Sequence, residues 1–162
     1  MTAGPVRAYI GLGANLGDGA ATLRAVLDEL RATPGLQNLQ ASPFYRSAPV
    51  DAGGPDFTNA VAGVDTTLAP LDLLDALQAL ELRHGRQRPY RNAPRTLDLD
   101  LLIHGESQCD GGRLTLPHPR LHLRAFVLLP LRDLAPGLRV RGESLDHWLA
   151  QIRGQAIERL PG

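Results

Sequence analysis

The chain has 162 residues, 43% hydrophobic and 21% charged, with 17 basic residues balanced by 17 acidic ones. This length suits one domain, residues 1–162, with a real core, and zero net charge gives no global electrostatic case for nucleic acid or an anionic membrane. Every basic residue is arginine, which excludes a P-loop, a protein-kinase strand lysine and Schiff-base chemistry, so phosphate must be handled by Arg, His, backbone amides or metal. In chain order, Ala8–Leu12 reads as a short strand, followed by a turn through Gly13-Ala14-Asn15-Leu16-Gly17-Asp18. A helix is predicted from about Ala20 to Arg31, with Asp18 as N-cap and Thr33-Pro34-Gly35 as its stop. Leu36–Arg46 reads as a second strand, and residues 49–56, rich in Gly and Pro, as a loop. Phe57–Thr66 alternates as a third strand. A second helix follows, with Pro70 in its first turn and Leu73, Leu74, Leu77 and Leu80 on one face.

The next two segments carry the chemistry. Residues 83–95 hold five arginines, with Gly and Pro breaking any regular element. Pro94–Ile103 then reads as a strand in which Asp98 and Asp100 share one face while Leu97, Leu99 and Leu101 point into a core. The two Asp Cα atoms lie roughly 6.5–7 Å apart. At that separation the carboxylates repel by ~2 kcal/mol at an effective dielectric of ~20. A divalent cation removes the repulsion, and the arginine loop running into the pair suits polyphosphate chemistry. The alternative is an edge strand with a solvated polar face.

Beyond this strand, short strands are expected near Leu114–Leu116 and Leu138–Arg141, and helices near Arg124–Leu129 and Leu145–Ile152. The order β-α-β-β-α-β is the split βαβ arrangement of an α+β, ferredoxin-like fold with a mainly antiparallel sheet. The single Cys109 fits a reducing, cytoplasmic compartment. No signal peptide, membrane span, internal repeat or low-complexity tract is visible. Nothing demands more than a monomer.

Five segments in order carry a resemblance: Tyr9–Gly17, Phe44-Tyr45-Arg46-Ser47, Phe57–Val61, Pro94–Leu102 and Leu116-Pro117-His118-Pro119-Arg120. Over nearly its whole length the chain resembles the 6-hydroxymethyl-7,8-dihydropterin pyrophosphokinases of folate biosynthesis. That resemblance implies transfer of the β,γ-diphosphate of ATP to the pterin hydroxymethyl group, giving the pterin diphosphate and AMP, with two Mg²⁺ ions and ATP as co-substrate. It implies metal ligation by Asp98 and Asp100, with Arg86 and Arg95 steadying phosphoryl charge. ATP contacts are implied for Gln78, Glu81, Arg88, Arg113, Thr115, His118 and Arg124, with the backbone at Leu101. For the pterin it implies stacking by Phe57 and Phe126, edge pairing by Asn59, and lining by Ser47 and Val50. The chain departs from the family pattern at Asn92, where some members carry an aromatic, and in a loop before Pro94 that is one residue shorter.

Blander readings stand beside these. Arg95 pairs with an Asp of its own strand, or Phe57 and Phe126 are core residues. His84, His104, His122 and His147 read as structural. Gly11-Leu12-Gly13 with Gly17 has the wrong spacing for a dinucleotide fingerprint. Rival functions are a catalytically inactive pterin- or nucleotide-binding member and an RNA-binding module of the same topology, which the sparse strand aromatics and the paired Asp disfavour.

Overall fold

The computed structural model describes residues 4–15, 18–48, 56–84 and 97–161. Its centre is an antiparallel sheet built from β1 (Val6–Ala14), β2 (Leu36–Ala41), β3 (Tyr45–Ser47), β4 (Phe57–Thr66), β5 (Asp98–His104) and the C-terminal β10 (Ile157–Arg159). The strand order is β10-β3-β4-β1-β5, with β2 also paired to β4. Between them run α1 (Gly19–Arg31) after β1 and α2 (Pro70–Arg83) after β4. After β5 come a small hairpin, β6 (Cys109–Asp110) with β7 (Thr115–Leu116), and a 3-10 turn at Leu121–Leu123. The chain then forms α3 (Ala125–Leu134), a second hairpin, β8 (Arg139–Val140) with β9 (Glu143–Ser144), and α4 (Leu145–Gln151). Among the described residues no helix is long and apolar enough to cross a membrane.

Alternation along three central strands creates two different faces. One carries Ala8, Ile10, Leu12 and Ala14 of β1, Ala60, Ala62 and Val64 of β4, and Leu97, Leu99 and Leu101 at β5. Against it pack Leu23, Val26, Leu27 and Leu30 of α1 and Leu73, Leu74, Leu77 and Leu80 of α2. Each fully buried Leu contributes roughly 1.5–3 kcal/mol. On the other face Val61, Leu102 and Ile103 meet Leu121, Val127, Leu128, Leu131 and Leu145. These cover only part of that face; the remainder carries Gly11, Gly13, Phe57, Asn59, Asp98 and Asp100.

Most expected elements are present, with shifted bounds. The Asp18 side chain accepts from the Ala21 amide at 3.0 Å, capping α1. The strand expected over residues 36–46 divides in two. Pro43 has no amide to donate, and Ser42 turns its hydroxyl to the Val61 amide at 2.9 Å. β2 therefore pairs with one end of β4 and β3 with the other. The helix near 124–129 continues to Leu134 through Pro130 because its apolar side is buried. β6 and β10 carry no sequence pattern: two- and three-residue strands are defined by their partners, β7 and β3. Of the strand expected over 94–103, the part from Asp98 is seen as β5, and residues 94–96 lie outside the described residues.

Candidate functional site: a two-carboxylate cavity beside a polar-edged aromatic slot

The uncovered part of the sheet is the floor of a cavity of about 500 Å³. Its plan follows from strand register. Opposite residues in an antiparallel pair point to the same face. Gly13 lies opposite Asn59 on one side and Asp98 on the other, and Gly11 lies between Val61 and Asp100. The two glycines thus leave a shallow trough on β1 between the Asp pair and Asn59. A Cβ at Gly13 would lie 3.3 Å from Asn59 Nδ2 and 3.6 Å from the Phe57 ring, so any larger residue there narrows the trough and presses on the Asn59 amide.

At one end of the trough sits an amide-type edge. Asn59 is buried, and Ser47 Oγ donates to its Oδ1 at 2.5 Å. That bond orients the amide and leaves Nδ2 toward Gly13. Phe57 and Phe126 both line the cavity, half-buried, and the Arg124 guanidinium carbon stands 5.5 Å from the Phe126 centroid. A flat polar heterocycle fits such a slot, with aromatic faces for its plane and an amide for its edge.

The opposite end is charged. Asp98 and Asp100, half-buried, face the cavity with Arg120 and Arg124 at its rim. His118 stands behind them: its amide donates to Leu102 O at 2.9 Å, and its Nδ1 accepts from the Arg120 amide at 3.1 Å. Burial lowers the His118 pKa; Asp100 raises it, Arg124 and Arg120 lower it, and the net result is below the ordinary histidine value.

The other expected ATP residues gather elsewhere, along α2 and the β6–β7 hairpin. Arg113 Nη2 donates to Asp75 Oδ1 at 2.5 Å and to Gln78 Oε1 at 3.0 Å, all exposed. Glu81 is buried, and its Oε2 accepts from the Leu99 amide at 2.9 Å. Thr115 is half-buried on β7. The Leu101 side chain is in the core, which leaves only its backbone for a ligand. Arg86, Arg88, Arg95 and Val50, with Asn92, lie outside the described residues.

Ser47, Phe57, Asn59, Asp98, Asp100, Arg124 and Phe126, spread over almost 80 positions of sequence, thus line one cavity. Gly11, Gly13, Arg120 and Gln155 also line it and were not expected there. The glycines and Arg120 belong to motifs visible in sequence, whereas nothing in sequence marks Gln155. Of the histidines read as structural, His84 pairs with Glu29 at 2.8 Å and His104 with Leu68 O at 2.7 Å. His122 and His147 both stack edge-on against Trp148.

No group of three or more His, Cys, Asp or Glu is placed to hold a metal among the described residues. Two carboxylates at i and i+2 nonetheless fit Mg²⁺, a hard cation that binds through one or two carboxylates and takes its remaining oxygens from water and phosphate.

The family model described as 7,8-dihydro-6-hydroxymethylpterin-pyrophosphokinase matches residues 9–136. The 2-amino-4-hydroxy-6-hydroxymethyldihydropteridine pyrophosphokinase of Pseudomonas aeruginosa is 50% identical over 158 residues, covering 96% of this chain and 98% of its own. The enzyme of the same description from Methylorubrum extorquens is 41% identical, covering 95% and 98%. Among solved structures, wild-type Plasmodium falciparum HPPK-DHPS with pteroate has a TM-score of 0.70 at 14% identity. That match covers 91% of this chain and 42% of the longer Plasmodium chain, a likeness of fold. On the family match and the near full-length relatives, the chain belongs to the 7,8-dihydro-6-hydroxymethylpterin-pyrophosphokinase family.

Proposed function

We infer that this chain transfers the β,γ-diphosphate of ATP to the hydroxymethyl group of 6-hydroxymethyl-7,8-dihydropterin, forming the pterin diphosphate and AMP for folate biosynthesis. The observation that carries the reading is one cavity with a carboxylate pair at one end and an aromatic, amide-edged slot at the other. A hydroxymethyl group on a heterocycle held by Phe57, Phe126 and Asn59 would point along the trough toward Asp98 and Asp100. Proximity of this kind converts a bimolecular step into a unimolecular one.

In this reading Asp98 and Asp100 would hold the Mg²⁺, two ions by the family resemblance. When bound, Mg²⁺ supplies charge neutralisation and polarisation of the transferring phosphorus. Ser47 orients Asn59 toward the pterin edge, and Val50 is read as a further pterin contact. Arg124 contacts phosphate from the rim, and His118, Arg86, Arg95 and Arg88 are read as further phosphate contacts. Losing one such donor typically lowers the rate by ~10²–10³. Gln78, Arg113, Thr115 and the Leu101 backbone form the nucleotide end, and Glu81 supports it through its bond to β5. The core is read as ferredoxin-like, supported by the antiparallel order β3-β4-β1-β5 with α1 and α2 on one face. Residues 1–162 are read as one domain, supported by a sheet whose strands come from Val6 to Arg159. The protein is read as a cytoplasmic monomer, its single free Cys109 suiting a reducing compartment.

The test is product analysis. The protein is incubated with ATP, Mg²⁺ and the dihydropterin, and AMP is separated from ADP. AMP formed only with both pterin and Mg²⁺ is the expected result. ADP would mean single phosphoryl transfer, and absence of any nucleotide turnover would reject the reading.

A further inference from the structure

We propose that Gln155 is a positioning residue for the pterin end of the cavity, acting by holding the start of α3 from the C-terminal segment. The inference rests on the proposed function, because it takes Phe126 as a wall of the pterin slot. Gln155 lies beyond residues 9–136, the span of the family match.

α3 begins without a side-chain cap: its N-cap residue, Arg124, makes no capping hydrogen bond of its own. An uncapped helix start leaves amides without partners. Gln155 fills that role from 30 residues away. Its Oε1 accepts from the Ala125 amide at 2.9 Å, and its Nε2 donates to Leu123 O at 2.9 Å. One planar amide thereby bridges the peptide groups on both sides of Arg124, and Phe126 follows one residue later. With the backbone fixed on both sides, the Arg124 side chain and the Phe126 ring leave the chain in set directions.

Gln155 is itself held. Ala156 O accepts from the Ala48 amide at 3.3 Å, and β10 pairs with β3 in the register Ile157 to Ser47. Leu160 N donates to Phe44 O at 2.9 Å. The same short stretch of β3 therefore carries Ser47, which orients Asn59, and anchors the strand that delivers Gln155 to Phe126. A side cavity of about 110 Å³ between Ser47, Ala48, Phe126 and Gln155 lies along this seam. The open space lies on the Phe126 and Gln155 side, so the amide bridge adds on that flank to the packing of Ala125, Val127 and Leu128 in fixing the segment.

The test uses the full chain with Gln155→Leu, which keeps the volume and removes both bonds, and Gln155→Glu, which keeps the acceptor for Ala125. For Q155L the KM and Kd for the dihydropterin are expected to rise about tenfold while kcat changes by less than about threefold, the signature of lost binding rather than lost chemistry. Q155E keeps the bond to Ala125 but loses the donor to Leu123 O, so it is expected to recover part of that loss. An unchanged pterin KM in Q155L, or a Q155E as weak as Q155L, overturns the proposal. Should Q155L fail to fold, hydrogen exchange of the wild type decides: a protected Ala125 amide supports the bridge, and a freely exchanging one rejects it. A wild type that neither binds nor turns over pterin rejects the functional reading and this inference together. An active wild type beside an unaffected Q155L rejects the inference alone.

Discussion

Gly13 faces Asn59 so closely that a single added carbon on Gly13 would stand 3.3 Å from the Asn59 Nδ2 atom. The same register puts Gly13 opposite Asp98, so the glycine separates the proposed pterin edge from the proposed metal ligands. Gly13→Ala is expected to raise the KM for the dihydropterin about tenfold, a loss near 1.4 kcal/mol. The melting temperature should shift little, because the added methyl enters a cavity rather than the packed face. Steady-state kinetics with the pterin varied check this, and an unchanged KM would refute the assigned role of the trough.

Asp100→Asn removes half of the carboxylate pair while keeping its shape. Several kcal/mol of transition-state charge stabilisation go with the metal, so kcat should fall by about 10³-fold. The fold should survive: without Mg²⁺ the melting temperature should hold or rise, since a like-charge repulsion is relieved. Rates at saturating Mg²⁺ decide the matter, and near wild-type turnover would sink the metal assignment.

Tyr45 ties β3 to α3 by donating to Asp133 Oδ2 at 2.5 Å. Burial, then the hydrogen bond and charge of Asp133, push the phenol from its ordinary 10.0 up to about 12. A raised pKa favours the protonated form in the folded state. The stability it contributes is therefore complete below pH 10 and lost as pH rises through about 12. Tyr45→Phe should cost about 0.5–1.5 kcal/mol near neutral pH. It should also abolish the last step of the tyrosinate absorbance titration. Urea unfolding at several pH values, with that titration, tests both.

Glu81 supports β5 from α2. Replacing it by Ala leaves the Leu99 amide buried without this acceptor, at a cost of about 1–3 kcal/mol. Because Leu99 lies between Asp98 and Asp100, kcat should fall as well. A urea midpoint equal to that of the wild type would show that the bond does not hold the strand.

What the sequence by itself determined was periodicity and chemistry. Alternation put Asp98 and Asp100 on one face and Leu97, Leu99 and Leu101 on the other, and the structure has them so, because strand geometry is local. Helical spacing likewise marked the buried side of α2. Motif order carried the family and most of the cavity-lining side chains. What only tertiary structure decided was pairing. That Gly13 sits between Asn59 and Asp98 depends on the register of three strands, and no single segment encodes it. That Gln78 and Arg113 meet, away from the cavity, depends on a hairpin packing beside α2. Gln155 acquires its place only because a three-residue edge strand docks on β3. So short a strand has too few residues to show a pattern, and its partner supplies the hydrogen bonds that define it.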